Sequence, residues 1–188
     1  MDATISALIP AGDAATRTTI ATTLAKFGDG ALRFAAERGV QIRPLHVHER
    51  YDEASPALKR LGVDVDGWAA VPAGLFVLED RCVYLRSRSA MTVAHEFGHA
   101  LDCALGGGVY RSSTDAAIRE AYRAAVRYVT PYAATAIDEY TAEAFRSWVE
   151  CNDEASFWPA VSRARLRRCD PAMHAIVREI FAGFERTG

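Results

Sequence analysis

His95-Glu96-Phe97-Gly98-His99 is the stretch on which the reading of this chain turns. On a helix, residues four apart share a face about one turn from each other, so both imidazoles can grip one metal ion. Glu96 is turned roughly a quarter-circle from His95, which aims its carboxylate beside the metal, where a bound water would sit. The pattern is half of a hydrolytic zinc site. A catalytic zinc takes three protein ligands and keeps one position for water, so another part of the chain must supply the third.

Outward from the pentapeptide, a helix is expected from about 90 to 105. Ser87 to Ser89 lead into it, and Gly106-Gly107-Gly108 end it. Upstream, Gly74 to Glu79 and Cys82 to Arg86 alternate like strands around Asp80-Arg81, which predicts a hairpin. Cys82 to Arg86, just ahead of the metal helix, is expected to be a sheet edge along which a peptide could add as a strand. Nearer the start, Ala14 to Phe27 predicts a helix with Ile20, Leu24 and Phe27 on its buried stripe, and 31 to 38 a shorter one. Residues 40 to 47 read as extended, with Pro44 placing them at an edge, and 56 to 61 as a helical turn or two. Downstream the periodicity is helical over about 115 to 129, 131 to 150 and 171 to 186. Pro131 and Pro171 follow the capping residues Thr130 and Asp170. Sheet first and helices after it, with the metal helix between, indicates the α+β class.

The third ligand is not the histidine of a His-x-x-Gly-x-x-His continuation, because Asp102 and Leu105 occupy those places. His174 lies far downstream on an apolar helix with Ile176, Ile180 and Phe184, where a structural role is the simpler reading. The acidic candidates sit in Asp138-Glu139-Tyr140-Thr141-Ala142-Glu143-Ala144-Phe145. Glu139 and Glu143 are again four apart, opposite the core-facing Tyr140, Ala144 and Trp148. Two acids on one buried stripe are costly without a cation. A zinc ion ligated by one, with the other holding a ligating imidazole, removes that cost. Spacing alone does not say which acid is which, and a solvated acidic stripe is the plainer alternative.

With these residues in view, His95-Glu96-Phe97-Gly98-His99-Ala100-Leu101-Asp102, then Tyr132 and Glu139-Tyr140-Thr141-Ala142-Glu143-Ala144-Phe145, the chain resembles the anthrax lethal factor-type catalytic domain. That zinc metalloprotease family also includes the small secreted Pro-Pro endopeptidases. The resemblance spans roughly residues 68 to 150. It implies a zincin-like, gluzincin-type domain: a small sheet on the active-site helix, then a helical C-terminal half. It further implies one Zn2+ per chain held by His95, His99 and Glu139, with Glu96 as general base. Glu143 becomes the partner of a ligating histidine, and Tyr132 a hydroxyl donor near the metal. The implied activity is that of an endopeptidase on a peptide or protein substrate. No substrate-loop motif matches, so no specificity is implied.

The chain of 188 residues, half of them hydrophobic, can bury a real core and is expected to be one domain over 1–188. Its parts would be 1–67, helical and extended; 68–105, hairpin and metal helix; and 106–188, helical with the third ligand. A net charge of −2 gives no reason to expect nucleic acid or an anionic membrane as partner, and a monomer is the default. Arg163, Arg165, Arg167 and Arg168 read as a solvated face near a helix end. No basic n-region opens Met1-Asp2-Ala3-Thr4, and no apolar run nears the roughly twenty residues of a membrane helix. The expectation is a cytoplasmic protein, or one secreted by a leaderless or trimmed route. Cys82, Cys103, Cys151 and Cys169 are spaced as buried free thiols rather than a zinc knuckle. His46 and His48 share one side of an extended segment and read as ordinary strand surface. Asp102 either orients an imidazole or caps polar groups, and Trp68, Trp148 and Trp158 belong to the core or a cleft wall. Two other functions fit the same motif: a cytoplasmic regulatory metallopeptidase that clips a repressor, and a non-catalytic zinc-stabilised binding module.

Overall fold

A computed structural model describes residues 3–186; Met1 and Asp2, where the stretch read for a leader begins, and Thr187 and Gly188 lie outside the described residues. The elements run α1 (Ala3–Leu8), α2 (Ala14–Leu24), α3 (Asp29–Glu37), β1 (Gln41–Pro44), α4 (Tyr51–Ala54), α5 (Pro56–Leu61), β2 (Gly74–Val77) and β3 (Cys82–Leu85). There follow α6 (Ala90–Leu105), α7 (Arg111–Thr114), α8 (Ala116–Ala124), α9 (Ile137–Trp148), α10 (Arg163–Cys169) and α11 (Pro171–Arg186). Short 3-10 turns cover Ala25–Phe27, Val65–Gly67 and Tyr132–Ala134. The layout is the expected one: an α+β fold with a small sheet on the histidine helix and a helical C-terminal half.

The sheet has the order β1-β3-β2. β1 runs parallel to β3, from Gln41 opposite Cys82 to Pro44 opposite Leu85. β2 forms the expected hairpin with β3, from Gly74 opposite Leu85 to Val77 opposite Cys82. Pro44 sits on an edge strand, where a missing N–H costs nothing. β3 does not. It is the middle strand, paired on both sides, so the expectation that Cys82 to Arg86 offers a docking edge is overturned. The free edge beside α6 belongs to β2.

β3 is buried at every position because both sheet faces are covered. Ile42, Phe76, Val83 and Leu85 face the large core against α6, while Val77, Cys82 and Tyr84 face Tyr51, Leu58 and Val65. The hairpin turn is fixed from outside: Asp80 accepts hydrogen bonds from Ser55 Oγ, from Ala57 N (3.2 Å) and from Tyr84 OH (2.9 Å).

Ser89 caps α6 by accepting from Thr92 N at 3.2 Å, and the helix stops where Gly107 and Gly108 take φ of 71° and 109°, conformations that favour glycine. Gly98 is the point of close approach to α9: a Cβ there would lie 3.1 Å from Ala142 Cα and 3.2 Å from its carbonyl oxygen. α9 therefore presses onto α6 at the level of the histidines. Phe27, Phe97, Phe145 and Phe181 fill the core behind this contact.

Two helices expected from periodicity are shorter than their patterns. The one read over 115 to 129 ends at Ala124, and the one read over 131 to 150 is a turn at Tyr132–Ala134 followed by α9 from Ile137. Thr130 Oγ accepts from Ala133 N (3.2 Å), capping that turn, and donates to the Glu143 carboxylate (2.7 Å), tying it to α9. Asp170 does cap α11, accepting from Met173 N at 2.8 Å. The arginine cluster lies on α10 itself, with Leu166 buried and Arg163, Arg167 and Arg168 exposed.

Candidate metal centre

α6 contributes His95 and His99 from consecutive turns, and α9 contributes Glu139 from its first turn. His95 Nε2 lies 3.2 Å from His99 Nε2 and 3.0 Å from Glu139 Oε2, which in turn lies 3.2 Å from His99 Nε2. Tetrahedral ligands at zinc distances stand roughly 3.3 Å apart, so this triangle has the size and donor chemistry for Zn2+. Among the described residues it is the group of His, Cys, Asp and Glu side chains that could hold a metal ion.

Glu143, one turn beyond Glu139, does not join the triangle. Its Oε1 meets His95 Nδ1 at 2.9 Å and accepts from Arg146 Nε at 2.8 Å. Its Oε2 accepts from Arg146 NH2 (2.8 Å) and Thr130 Oγ (2.7 Å). Burial opposes ionisation of Glu143, but the His95 and Arg146 hydrogen bonds outweigh it and bring the group down to about 2. An ionised carboxylate can only accept, so Nδ1 carries a proton, and a metal-bound His95 would offer Nε2.

The electrostatics call for a cation. Burial disfavours charge on His95, yet Glu139 and Glu143 overcome it and push its pKa up to about 10. Burial also works against Glu139, whose bonds to both imidazoles nonetheless hold it well below the usual carboxylate range. Glu96 differs: burial raises it, against the pull of His95 and His99. Tyr132 donates its hydroxyl to Glu139 Oε1 at 2.9 Å; burial, and then Glu139, keep it firmly protonated. His99 Nδ1 is buried with no partner among the described residues, and the Tyr110 ring packs 5.9 Å from the His99 ring.

His95, one corner of the triangle, lines a cleft of about 260 Å³ together with Gly74 from β2, Met91, Thr92 and Glu96 from α6, and Tyr132, Arg146 and Trp158. A Cβ on Gly74 would lie 2.7 Å from Glu96 Cγ, so β2 at Gly74 backs directly onto that side chain.

The other sequence candidates lie elsewhere. β1 ends at Pro44, so His46 and His48 fall in the following turn rather than on one strand face, and His48 has φ of 69°. His174 packs against Trp148 with the rings tilted, centroids 5.6 Å apart. Asp102 orients no imidazole: it accepts from Ser112 N (3.0 Å) and Ser112 Oγ (2.5 Å) and so ties down the chain after the triple glycine. Trp148 packs on Phe181, Trp158 borders the cleft, and Trp68 is exposed. Cys82, Cys103, Cys151 and Cys169 are free, the first three buried. Neither Arg146 nor Tyr110 is named from the sequence, and Thr130 is expected there as a cap, which it is, but not as a partner of Glu143. Arg146 follows Glu143 at i+3, a spacing that signals an ion pair; the other two sit on irregular chain with no periodic signal.

A small sheet on the histidine helix, with the helical half behind it, defines a zincin-like fold. No protein-family model matches the sequence, and no curated protein matches it. Among solved structures, the fold is similar to the Pro-Pro endopeptidase PPEP-2 from Paenibacillus alvei, with TM-score 0.66 and 18% identity over 95% of this chain and 100% of that one.

Proposed function

We propose that the protein is a zinc-dependent endopeptidase of the lethal factor type, gluzincin-like, acting on a peptide or protein. One observation carries this: His95 Nε2, His99 Nε2 and Glu139 Oε2 meet within 3.0 to 3.2 Å, and His95 lines an open cleft together with Glu96. The fold shared with an endopeptidase supports it.

In this reading His95, His99 and Glu139 hold one Zn2+, and Glu143 fixes the His95 tautomer. Bound zinc would polarise the scissile carbonyl and lower the pKa of water to about 7. Glu96 takes a proton from the attacking water and passes it to the leaving amine; its burial-raised pKa suits both duties. Tyr132 turns its hydroxyl from Glu139 towards the developing oxyanion. The substrate backbone adds to the open edge of β2, beside Glu96, rather than to β3.

The test is Glu96→Gln, which should keep about one zinc per chain and lose hydrolysis by about a hundred- to ten-thousandfold. A wild-type protein that binds zinc fully and cleaves nothing in a broad peptide library would instead be a zinc-stabilised binding module.

A further inference from the structure

The chain between α9 and α10 forms a closed loop whose neck is one side chain. Asn152 donates Nδ2 to Val161 O (3.0 Å) and accepts from Val161 N (2.7 Å), so the ends of the 152–161 segment are clasped together. Arg146, the residue that grips Glu143, also donates NH1 to Cys151 O at 2.9 Å, anchoring the loop to the metal-side helix. Compact loops of this kind, closed at the neck, are recurrent functional elements. Its tip presents Phe157 and Trp158. Phe157 is fully exposed, while Trp158 leans on Tyr132, ring centroids 5.9 Å apart, and forms one wall of the cleft.

The polar groups lining that wall region are already engaged. Thr92 Oγ bonds Ser89 Oγ at 3.0 Å, and Arg146 and Glu143 neutralise each other in a forked pair. Met91, Pro72, Ala73 and Gly74 supply apolar surface, and Glu96 adds a carboxylate. An acidic substrate side chain entering here would lose its water beside the Glu96 carboxylate and find no unpaired cationic side chain in the lining, which is costly. An apolar one would bury its surface against Trp158 and Met91 at no such cost. The cleft of about 260 Å³ is below the roughly 300–1,000 Å³ of whole-ligand pockets and suits a single side chain.

We infer that the 152–161 loop is the specificity element of the site, and that Trp158 selects a bulky apolar residue next to the scissile bond. This rests on the peptidase reading. It is tested by mass-spectrometric profiling of zinc-loaded protein on a mixed peptide library, beside calorimetric binding of a leucine peptide and its aspartate counterpart to Glu96→Gln. Wild type should favour leucine, isoleucine, methionine or phenylalanine over aspartate at one position by about 10- to 200-fold. Trp158→Ala should lower that preference about tenfold at the same position, with zinc content and Tm unchanged. Trp158→Phe should retain most of it, and Phe157→Ala all of it. An unchanged Trp158→Ala profile, or equal use of aspartate and leucine by wild type, overturns the inference. If wild type cleaves nothing, the peptidase reading fails and binding decides: tighter binding of the leucine peptide supports the pocket, and equal binding overturns it.

Discussion

His95 and Glu143 meet across 2.9 Å, Nδ1 to Oε1, and this bond joins α6 to α9 through the ring that also faces the candidate metal. Glu143→Gln would keep an oxygen for Nδ1–H but lose the charge that orients the ring and pairs Arg146. Outer partners of this kind are worth about 10–100-fold in metal affinity. Zinc affinity measured by chelator competition should fall by that factor, and an unaltered affinity would mean that Glu143 does not position the ligand.

Arg146 is buried to 1% exposure and spends three nitrogens on Glu143 and Cys151. Arg146→Met would leave Glu143 buried and short of donors, at a cost of about 3–5 kcal/mol in urea unfolding. Acid sensitivity should change as well. Glu143 titrates near 2 in the fold against an ordinary 4.5, so its contribution is fully present above about 4.5 and fades as pH falls towards 2. Without the guanidinium the folded-state pKa rises, so that loss should be smaller and complete at higher pH.

Tyr132 is half-exposed at the cleft mouth and donates to Glu139. Tyr132→Phe removes the donor but keeps the ring against His95 and Trp158. If the hydroxyl stabilises the oxyanion, kcat should fall about a hundred- to a thousandfold with KM nearly unchanged. A change confined to KM would assign Tyr132 to substrate packing instead.

Much of this arrangement is legible in the sequence because it lies on helices. His95, His99, Glu139 and Glu143 repeat at i and i+4, and helical geometry alone puts each pair on one face. The glycines after Leu105 and the turn at Asp80-Arg81 are equally local signals. What sequence reading misses is set by long-range pairing. The placement of β3 in the middle of the sheet depends on β1 crossing over to it, which the alternation in 82–86 cannot reveal. Thr130 reads as a cap, and its second bond, to Glu143 thirteen residues on, has no local signal. Tyr110 reaches His99 from an irregular segment whose path Asp102 fixes through Ser112.

Asp102 yields a pH prediction free of the metal. Burial raises its carboxyl to about 6 from an ordinary 3.8. The fold therefore prefers the protonated acid, and stability should decline as pH rises from about 4 to about 6, then level off. Asn at this position can accept from Ser112 N and donate to Ser112 Oγ, so both contacts survive. Asp102→Asn should match wild type near pH 4 and exceed it at pH 7 by up to about 3 kcal/mol. Thermal melts across that range check it; parallel curves would mean that Asp102 ionises freely in the fold.

Gly98→Ala sets two effects of opposite sign against each other. Alanine in a helix interior gains about 1 kcal/mol over glycine. The new Cβ, however, would stand 3.1 Å from Ala142 Cα and 3.2 Å from its carbonyl oxygen. These are backbone atoms that cannot rotate away, so α9 must shift by a few tenths of an ångström, and overpacking of this kind costs about 1–3 kcal/mol. The clash should win, lowering Tm. Because Glu139 rides on α9, zinc affinity should fall with it. Adding Ala142→Gly removes only the Cβ contact at 3.4 Å and leaves the two tighter ones, so the double variant should regain little. Full recovery of zinc affinity in that double variant would show that side-chain crowding, rather than the approach of the two backbones, limits how closely Glu139 meets the histidines.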